Sequence, residues 1–335
     1  MKAERCQIRI ADGRMVSAIA PVILSVSRAT DIPAFHGDWL RHRLEAGYAQ
    51  WINPYNGQPL YVSFARARVM VFWSKNPAPL LGWLDELDAR GINYYFQFTL
   101  NDYAQEGYEP GLPALERRIE TFQRLSERLG KARVIWRYDP VLVTPQCSLE
   151  QSLEKIAGLG EQLAPFTEQL IFSFVDLAAY PRAHRRLQRA GVAAQELSPA
   201  QMQAFAAGVQ QLNRAWKLRV GSCAETIDLS AYGVEHSRCI DDALLVQCFA
   251  HDAALMRHLG YAQNLFGEWS ALPRKMQDKD AGQRKTCGCV ESKDIGRYNT
   301  CLHRCVYCYA TGEGASTEAA FARCRAHPDA EALGG

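Results

Sequence analysis

The stretch Val69-Met-Val-Phe-Trp73-Ser-Lys75-Asn76 joins a continuous apolar run to a short polar ending. Strands of a parallel sheet that is covered on both faces read as near-continuous hydrophobic runs, without the alternation of a half-exposed strand. In parallel α/β barrels the active site lies at the carboxyl ends of such strands. The stretch therefore predicts a buried parallel strand that delivers polar side chains to a site.

Six more stretches have the same character, and amphipathic segments separate several of them. The six are Val22–Ser27, Tyr48–Ile52, Tyr94–Thr99, Val134–Tyr138, Leu170–Val175 and Leu218–Ser222. Seven βα-like units predict an α/β protein built on a (β/α) barrel, full or partial. A doubly wound sheet is the alternative, and no glycine-rich dinucleotide fingerprint favours it.

Helical periodicity is clearest in three segments between the predicted strands. Apolar residues recur at helical spacing in Leu115–Leu129, and Leu149–Leu163 and Pro199–Ala215 follow the same pattern. Ser198 precedes Pro199, which predicts a serine N-cap followed by proline in the first helical position.

Composition limits the class of protein. The chain has 335 residues, is 48% hydrophobic and has a formal net charge of +2, so it can bury a large core. That charge gives no support to a general nucleic-acid or membrane surface. Residues 1–20 lack the apolar centre of a signal peptide, and no stretch approaches the roughly 20 apolar residues of a membrane span. We expect a cytoplasmic protein whose thiols stay reduced.

We expect one structural domain in three parts. Residues 1–222 would form the barrel core. Residues 223–313, rich in cysteine, glycine and charge, would form a metal-binding extension packed on the barrel mouth. Residues 314–335 would be a short helical or frayed tail.

A dense group of cysteines lies near the C-terminus. Five fall within 22 residues, and Cys301, Cys305 and Cys308 have the spacing C-x-x-x-C-x-x-C. Because the chain lacks a secretory signal, such a density of cysteines favours a metal site over disulfide bonds. Three thiolates can hold three irons of a 4Fe-4S cluster and leave the fourth iron open to a ligand. The alternative is a structural zinc site built on the Cys305–Cys308 pair.

The remaining cysteines divide into two sets. Cys223, Cys239, Cys287 and Cys289 make four thiolates, enough for a second iron–sulfur cluster or a zinc ion, with buried free thiols as the alternative. Four others lie apart in apolar or helical contexts and are interpreted as packing residues: Cys6, Cys147, Cys248 and Cys324.

Polar and aromatic residues cluster where the predicted strands end. Arginine and lysine there would anchor a carboxylate or phosphate, and carboxylates would bind hydroxyls or an ammonium group or move a proton. The predicted catalytic set is Arg28, Asp31, Lys75, Arg137, Asp139 and Glu225. The predicted cofactor-binding set is Trp73, Asn76, Gln97, Ser173 and Tyr307. Structural ion pairing around the rim is the alternative.

The arrangement C-x-x-x-C-x-aromatic-C, with Tyr307 before the last cysteine, resembles the cluster loop of radical S-adenosylmethionine enzymes. The resemblance implies S-adenosylmethionine as a second cofactor on the open iron, and a full or partial barrel. In most of those enzymes the loop follows the first strand. Here it comes near the C-terminus, so the tail must fold back over the barrel mouth.

Phrases along the whole chain resemble DUF1848, a bacterial family of unknown function. They are Ser27–Phe35, Val71–Pro77, Tyr94–Thr99, Val134–Pro140 and Ser292–Cys301. The resemblance covers about residues 20–312. It implies a cytoplasmic single domain with a C-terminal cysteine cluster, distantly similar to radical enzymes such as spore photoproduct lyase. Ala29 stands where the family usually has a second arginine, which removes one anion contact.

The combined expectation is a radical S-adenosylmethionine-type enzyme, a lyase or transferase. Its substrate would be a small anionic or nucleotide-like molecule. A reductase or flavodoxin-type protein would supply the electron, and no membrane partner is expected.

Two other functions are weighed. A metal-dependent hydrolase would need histidine ligands at the strand ends, but the eight histidines lie mostly elsewhere. A zinc- or iron–sulfur-stapled barrel that binds nucleic acid is the less favoured alternative. Its basic residues would be Arg182, His184, Arg185, Arg186, Arg189, Arg274, Lys275, Lys279, Arg284 and Lys285.

Overall fold

The computed structural model describes residues 4–264, 267–272, 280, 283, 286–312 and 314–335. Its strands are β1 (Glu4–Arg9), β2 (Met15–Ala20), β3 (Ile23–Val26), β4 (Tyr48–Ile52), β5 (Pro59–Ser63), β6 (Val69–Ser74), β7 (Asn93–Thr99), β8 (Val134–Val141), β9 (Gln169–Phe174), β10 (Arg219–Cys223), β11 (Val234–Ser237), β12 (Tyr261–Gln263), β13 (Trp269–Ala271) and β14 (Lys293–Asp294).

The α-helices are α1 (Ile32–Phe35), α2 (Gly37–Ala46), α3 (Leu84–Ala89), α4 (Leu115–Leu129), α5 (Leu149–Leu163), α6 (Pro181–Arg189), α7 (Pro199–Trp216), α8 (Asp242–Phe249), α9 (Ala253–His258) and α10 (Gly314–Ala326). Short 3-10 helices occupy Ala78–Trp83, Lys131–Arg133, Ala164–Phe166 and Ser230–Tyr232. None of the described helices combines the length and apolar character needed to cross a bilayer.

The main sheet has eight parallel strands in the order β11-β10-β9-β8-β7-β6-β3-β14. The last strand along the chain, β14, lies beside the first, β3, which is the cyclic order of a barrel. Within the described residues, however, β11 and β14 are free edges and do not pair. The expected α/β class with a large parallel sheet is confirmed, but closure into a barrel is not.

Both faces of this sheet are covered, which explains the continuous apolar strands. Alternate residues such as Phe72, Phe96 and Phe172 pack into one core with the helices from α2 to α7. Val71 and Ile135 face the other way and pack against α8 and α9. The interior of a closed eight-stranded barrel has room for side chains but not for helices. Because α8 and α9 pack on this second face, the sheet stays open.

A second sheet has the order β1-β2-β5-β4. The stretch Tyr48–Ile52 is a strand as predicted, but it pairs antiparallel with β5 in this smaller sheet. Its expected place among the parallel strands is therefore wrong, since a short apolar run does not specify its partner. Two parallel strands, β11 and β14, were not expected. They come from the segment interpreted as an extension, which thus contributes to the main sheet.

The chain end packs against the smaller sheet and α2. Trp39 Nε1 donates to the Ala330 carbonyl at 2.9 Å, and Tyr61 donates to the Glu331 carboxylate at 3.0 Å. Arg297 donates to the carbonyls of Leu333 and Gly334 at 3.1 and 2.8 Å. After α10 the chain is thus held by hydrogen bonds, where the sequence allowed for a frayed end.

The predicted start of α7 is confirmed. Ser198 accepts from the Gln201 amide, and the Gln201 side chain accepts from the Ser198 amide, so the two form a capping box with Pro199 in the first turn. We expect Ser198→Ala to lower the free energy of unfolding by about 1 kcal/mol. Ser198→Asp, which keeps a capping oxygen, should lose much less in the same urea titration. Equal losses for both variants would contradict the capping role.

Candidate functional site

A cavity of about 320 Å³ opens at the carboxyl ends of the parallel strands. All seven cysteines of the two predicted metal sets line it. So do Arg28, Asp31, Trp73, Lys75, Arg137, Asp139, Ser173 and Tyr307. Three predicted residues do not. The Asn76 amide donates to the Ser74 hydroxyl at 3.0 Å, buried Gln97 accepts from Arg137 at 3.1 Å, and Glu225 accepts from the Phe174 amide at 3.0 Å.

The cysteine loop, residues 299–312, forms one wall of the cavity. Asn299 and Arg304 adopt positive φ angles of 62° and 57°, which bend the loop around its three cysteines. The loop between β7 and α4 supports it, because Gly111 donates to the His303 carbonyl at 3.0 Å. A Cβ on Gly111 would lie 2.3 Å from the Leu302 carbonyl oxygen, so only glycine fits this approach.

Of the three cysteines in this loop, Cys305 is buried, and Cys301 and Cys308 are partly exposed. Burial raises the pKa of the Cys301 thiol to about 12, and burial raises the pKa of Cys305 well above its ordinary value. Cys308 Sγ lies 3.1 Å from the hydroxyl of Thr311. Thiols of this kind are acidified by a cation or a metal rather than by water.

Asp31 connects the first two parallel strands to the cysteine loop. Its carboxylate accepts from the Ser74 hydroxyl, the Lys75 amide and His303 Nε2, each at 2.7 Å. It also caps α1 through the Ala34 amide at 3.0 Å. Burial opposes ionisation, but the interactions with His303, the Lys75 amide and Ser74 together hold the pKa of Asp31 below its usual value. The predicted catalytic carboxylate is therefore fully engaged in positioning.

A buried ionic group lies beside Cys305. Lys75 Nζ donates to Glu109 at 2.7 Å and to the Tyr307 hydroxyl at 3.0 Å. Tyr307 also hydrogen-bonds Glu109, and Arg118 Nη1 lies 3.8 Å from the second Glu109 oxygen. Two cations thus face one carboxylate, which leaves positive charge next to a cysteine thiol.

Arg137 and Asp139 form the opposite wall. Arg137 Nη2 donates to Asp139 at 2.6 Å, Nη1 donates to Gln97 at 3.1 Å, and the same nitrogen lies 3.4 Å from Cys239 Sγ. Ser173 donates to the other Asp139 oxygen. The predicted rim residues are therefore brought together, with Gln97 as a support for the arginine.

Arg28 stacks on Trp73, with its guanidinium carbon 4.6 Å from the ring centroid. Its Nη1 reaches Ser292 at 3.5 Å, but Nη2 is buried and has no hydrogen-bond partner among the described residues. Buried donors are nearly always satisfied in proteins. This one points to an anionic group that the cavity would bind.

The second cysteine set gathers beside these two arginines. Cys223 and Cys239 sulfurs lie 3.2 Å apart, and Cys287 and Cys289 sulfurs lie 3.1 Å apart. Hydrogen bonds from its neighbouring cysteines hold the pKa of Cys239 well below its ordinary value. The set lies between the free edges of the main sheet, after β10 and β11 and before β14.

No group of three or more His, Cys, Asp or Glu side chains within the described ranges converges closely enough to hold a metal ion. In an iron–sulfur cluster each cysteine binds its own iron, so the sulfurs need not converge on one point. The paired sulfurs of the second set lie closer than the about 3.8 Å that separates thiolates on a tetrahedral zinc, and closer still than thiolates on separate irons, so the pairs would have to spread to bind either group.

A larger depression, about 610 Å³, lies at the other end of the sheet. It contains an ion pair of Arg68 with Asp252 at 2.7 Å, and Asn93 donates to the same oxygen at 2.8 Å. None of the residues predicted for the site lines it. Groups at the amino ends of parallel strands serve stability rather than chemistry in such folds.

The model of the family called "Domain of unknown function (DUF1848)" matches residues 23–310. The chain belongs to this family. No curated protein and no solved structure matches the chain. The family match spans the main sheet and the cysteine loop, and it ends within that loop.

Sequence reasoning missed two carboxylates that organise this DUF1848 protein. Glu109 lies in the loop between β7 and α4, where no pattern marked it. Asp294 accepts from Ser25 and Ser27 at 2.6 and 2.7 Å and from the Arg28 amide at 2.7 Å, fixing β14 beside β3. Asp294 lies within Ser292–Cys301, one of the stretches that resemble the family, and this was the signal in the sequence that could have identified it. Arg274, Lys275, Lys279, Arg284 and Lys285 lie outside the described residues.

The Lys75–Glu109 pair gives a stability prediction. Glu109→Gln leaves two buried cations without their counter-charge, and we expect it to cost about 3–5 kcal/mol of unfolding free energy. Adding Lys75→Met should recover much of that loss, because it removes one of the two uncompensated charges. Anaerobic urea titrations of the native protein, the single variant and the double variant measure both effects. A loss below about 1 kcal/mol for Glu109→Gln would contradict the pairing.

Proposed function

We propose that this DUF1848 protein is a radical S-adenosylmethionine-type enzyme, a lyase or transferase in the cytoplasm. The observation that carries the proposal is the cavity itself. Cysteines with the C-x-x-x-C-x-aromatic-C spacing share it with two arginines, a lysine and three carboxylates. They meet at the carboxyl ends of a parallel sheet, where α/β proteins of this kind place their chemistry.

The residues fit a 4Fe-4S cluster on Cys301, Cys305 and Cys308. The donor set is three thiols, and the loop is partly buried and held by hydrogen bonds to Gly111, Asp31 and Arg186. The charge of Lys75 acts on Cys305, which favours its thiolate and would stabilise an anionic cluster. When bound, a cluster with an open iron supplies one electron to S-adenosylmethionine.

The chain's own residues would bind and orient the cofactor and the substrate. Arg28 has a donor, Nη2, that no described residue engages and that could bind a carboxylate or phosphate, and Trp73 beneath it supplies an aromatic face. Asp139 is half-exposed to the cavity and can accept from hydroxyls or an ammonium group. The rings of Tyr180 and Tyr309, tilted by 30° with centroids 4.9 Å apart, close another side. Together they exclude water from a reactive centre.

The size of the cavity limits the substrate. A volume of about 320 Å³ is at the lower end of ligand pockets. With a cofactor in place, only a small anionic or nucleotide-like group would enter.

We propose that the second set, Cys223, Cys239, Cys287 and Cys289, binds a further metal centre, either a second 4Fe-4S cluster or zinc. Arg137 lies against Cys239, and the charge of Arg28 also acts on Cys239 and Cys289. Two buried cations offset the charge of several thiolates, which a metal centre requires. The sulfur pairs would have to spread on binding.

The triad is tested by removing one ligand. Cys305→Ala should abolish the open-iron cluster, whereas Cys248→Ala, which does not line the cavity, should leave it intact. Protein purified without oxygen is measured for iron and sulfide. Electron paramagnetic resonance of the reduced protein then follows the signal with and without S-adenosylmethionine. Zinc without iron in the native chain would overturn the radical proposal and favour a zinc-stapled protein.

The second set is tested by Cys287→Ala/Cys289→Ala. If it holds a cluster, this variant should lose about four irons per chain yet keep the signal that responds to S-adenosylmethionine. If it holds zinc, the variant should lose about one zinc and no iron. Unchanged metal content would overturn the second centre.

A further inference from the structure

A groove of about 580 Å³ lies outside the cavity, along α6. We call it the arginine groove. Its lining consists of Arg182, Arg185, Arg186, Arg189, Ala190, Val306, Thr311 and Gly312. Four arginines on one short helix make this a strongly positive surface.

The groove and the cavity lie on opposite faces of the same two elements. From α6 and the residue before it, Ala183 and Tyr180 line the cavity, whereas the arginines line the groove. From the cysteine loop, Cys305 and Cys308 line the cavity, whereas Val306 lines the groove. The two linings share no residue. The groove is therefore the reverse side of the wall that would carry the cluster.

Arg186 joins the groove to that wall. Its Nη2 donates to the Cys305 carbonyl at 3.1 Å, and its Nη1 donates to the carbonyls of Thr311 and Gly312. Val306, which lines the groove, directly follows Cys305, a predicted cluster ligand. A molecule seated in the groove would lie one backbone layer from Cys305.

We infer that the arginine groove docks an acidic one-electron carrier protein, such as one carrying a flavin. The inference rests on the proposed function, because it assigns the surface through which the cluster would be reduced. A substrate must reach the cavity, which the groove does not share. A carrier needs only a short path to the cluster. Opposite charge would orient it and speed its encounter.

The electron count is simple. The carrier's reduced flavin loses one electron, and the oxidised cluster gains it. No bond forms or breaks in the protein, and no proton has to cross the wall.

The test uses the double variant Arg182→Glu/Arg185→Glu. It reverses two exposed charges and keeps the hydrogen bonds from Arg186 to the cysteine loop. The matched control is Arg117→Glu/Arg124→Glu on α4, with the same charge change far from either lining. Each full-length protein, with its cluster, is mixed anaerobically with reduced flavodoxin, and bleaching of the cluster is followed by stopped flow. Dithionite, a small reductant, replaces flavodoxin in parallel runs.

We expect the groove variant to be reduced by flavodoxin at least about tenfold more slowly at low salt. The control should behave like the native chain, and added salt should narrow the difference because it screens the charges. Dithionite should reduce all three proteins equally, which shows that cluster and fold are intact.

Three results would count against the inference. Equal flavodoxin rates for groove and control variants, with a cluster that responds to S-adenosylmethionine, overturn the docking surface alone. Absence of iron from the native protein overturns the proposed function and the inference with it. Loss of single-stranded oligonucleotide binding in the groove variant, with unchanged flavodoxin rates, assigns the groove to nucleic acid.

Discussion

The Asp31 carboxylate is the contact on which the site depends. It is buried, and it accepts hydrogen bonds from the β6 end, from the start of α1 and from the cysteine loop. Residues 272 positions apart, Asp31 and His303, are joined at 2.7 Å. A buried carboxylate with four donors keeps one geometry, because any lost donor leaves an unsatisfied charge. The loop is thereby fixed over the sheet.

Charge balance is the second constraint on this cavity. The four cations in and beside it each act with a carboxylate: Lys75 and Arg118 share Glu109, Arg137 pairs with Asp139, and the charges of Asp294 and Asp280 act on Arg28. Charges held in a low-dielectric interior are costly unless opposite charges compensate them. Thiolates from the two cysteine sets, and an anionic ligand at Arg28, would add negative charge beside the same cations.

Individual elements show which features of the fold a local sequence pattern can predict. Val134–Tyr138 was predicted because a strand buried on both faces is apolar throughout, and Ser198 because capping is local chemistry. Tyr48–Ile52 has the same apolar character but pairs in the smaller sheet. The strands β11 and β14 were missed because they are short and partly polar. Glu109 and Asp294 carry no local signal, since each acts through partners distant in sequence.

The sequence by itself determined the α/β class, the membership in its family and the chemistry available, above all the spacing of Cys301, Cys305 and Cys308. Only the tertiary structure decided that β14 returns beside β3, that both cysteine sets open into one cavity, and that Lys75 meets Glu109 beside Cys305. It also decided that the α6 arginines lie behind the cysteine loop. The physical reason is range: periodicity and spacing are set between near neighbours, whereas these contacts depend on how distant segments pack.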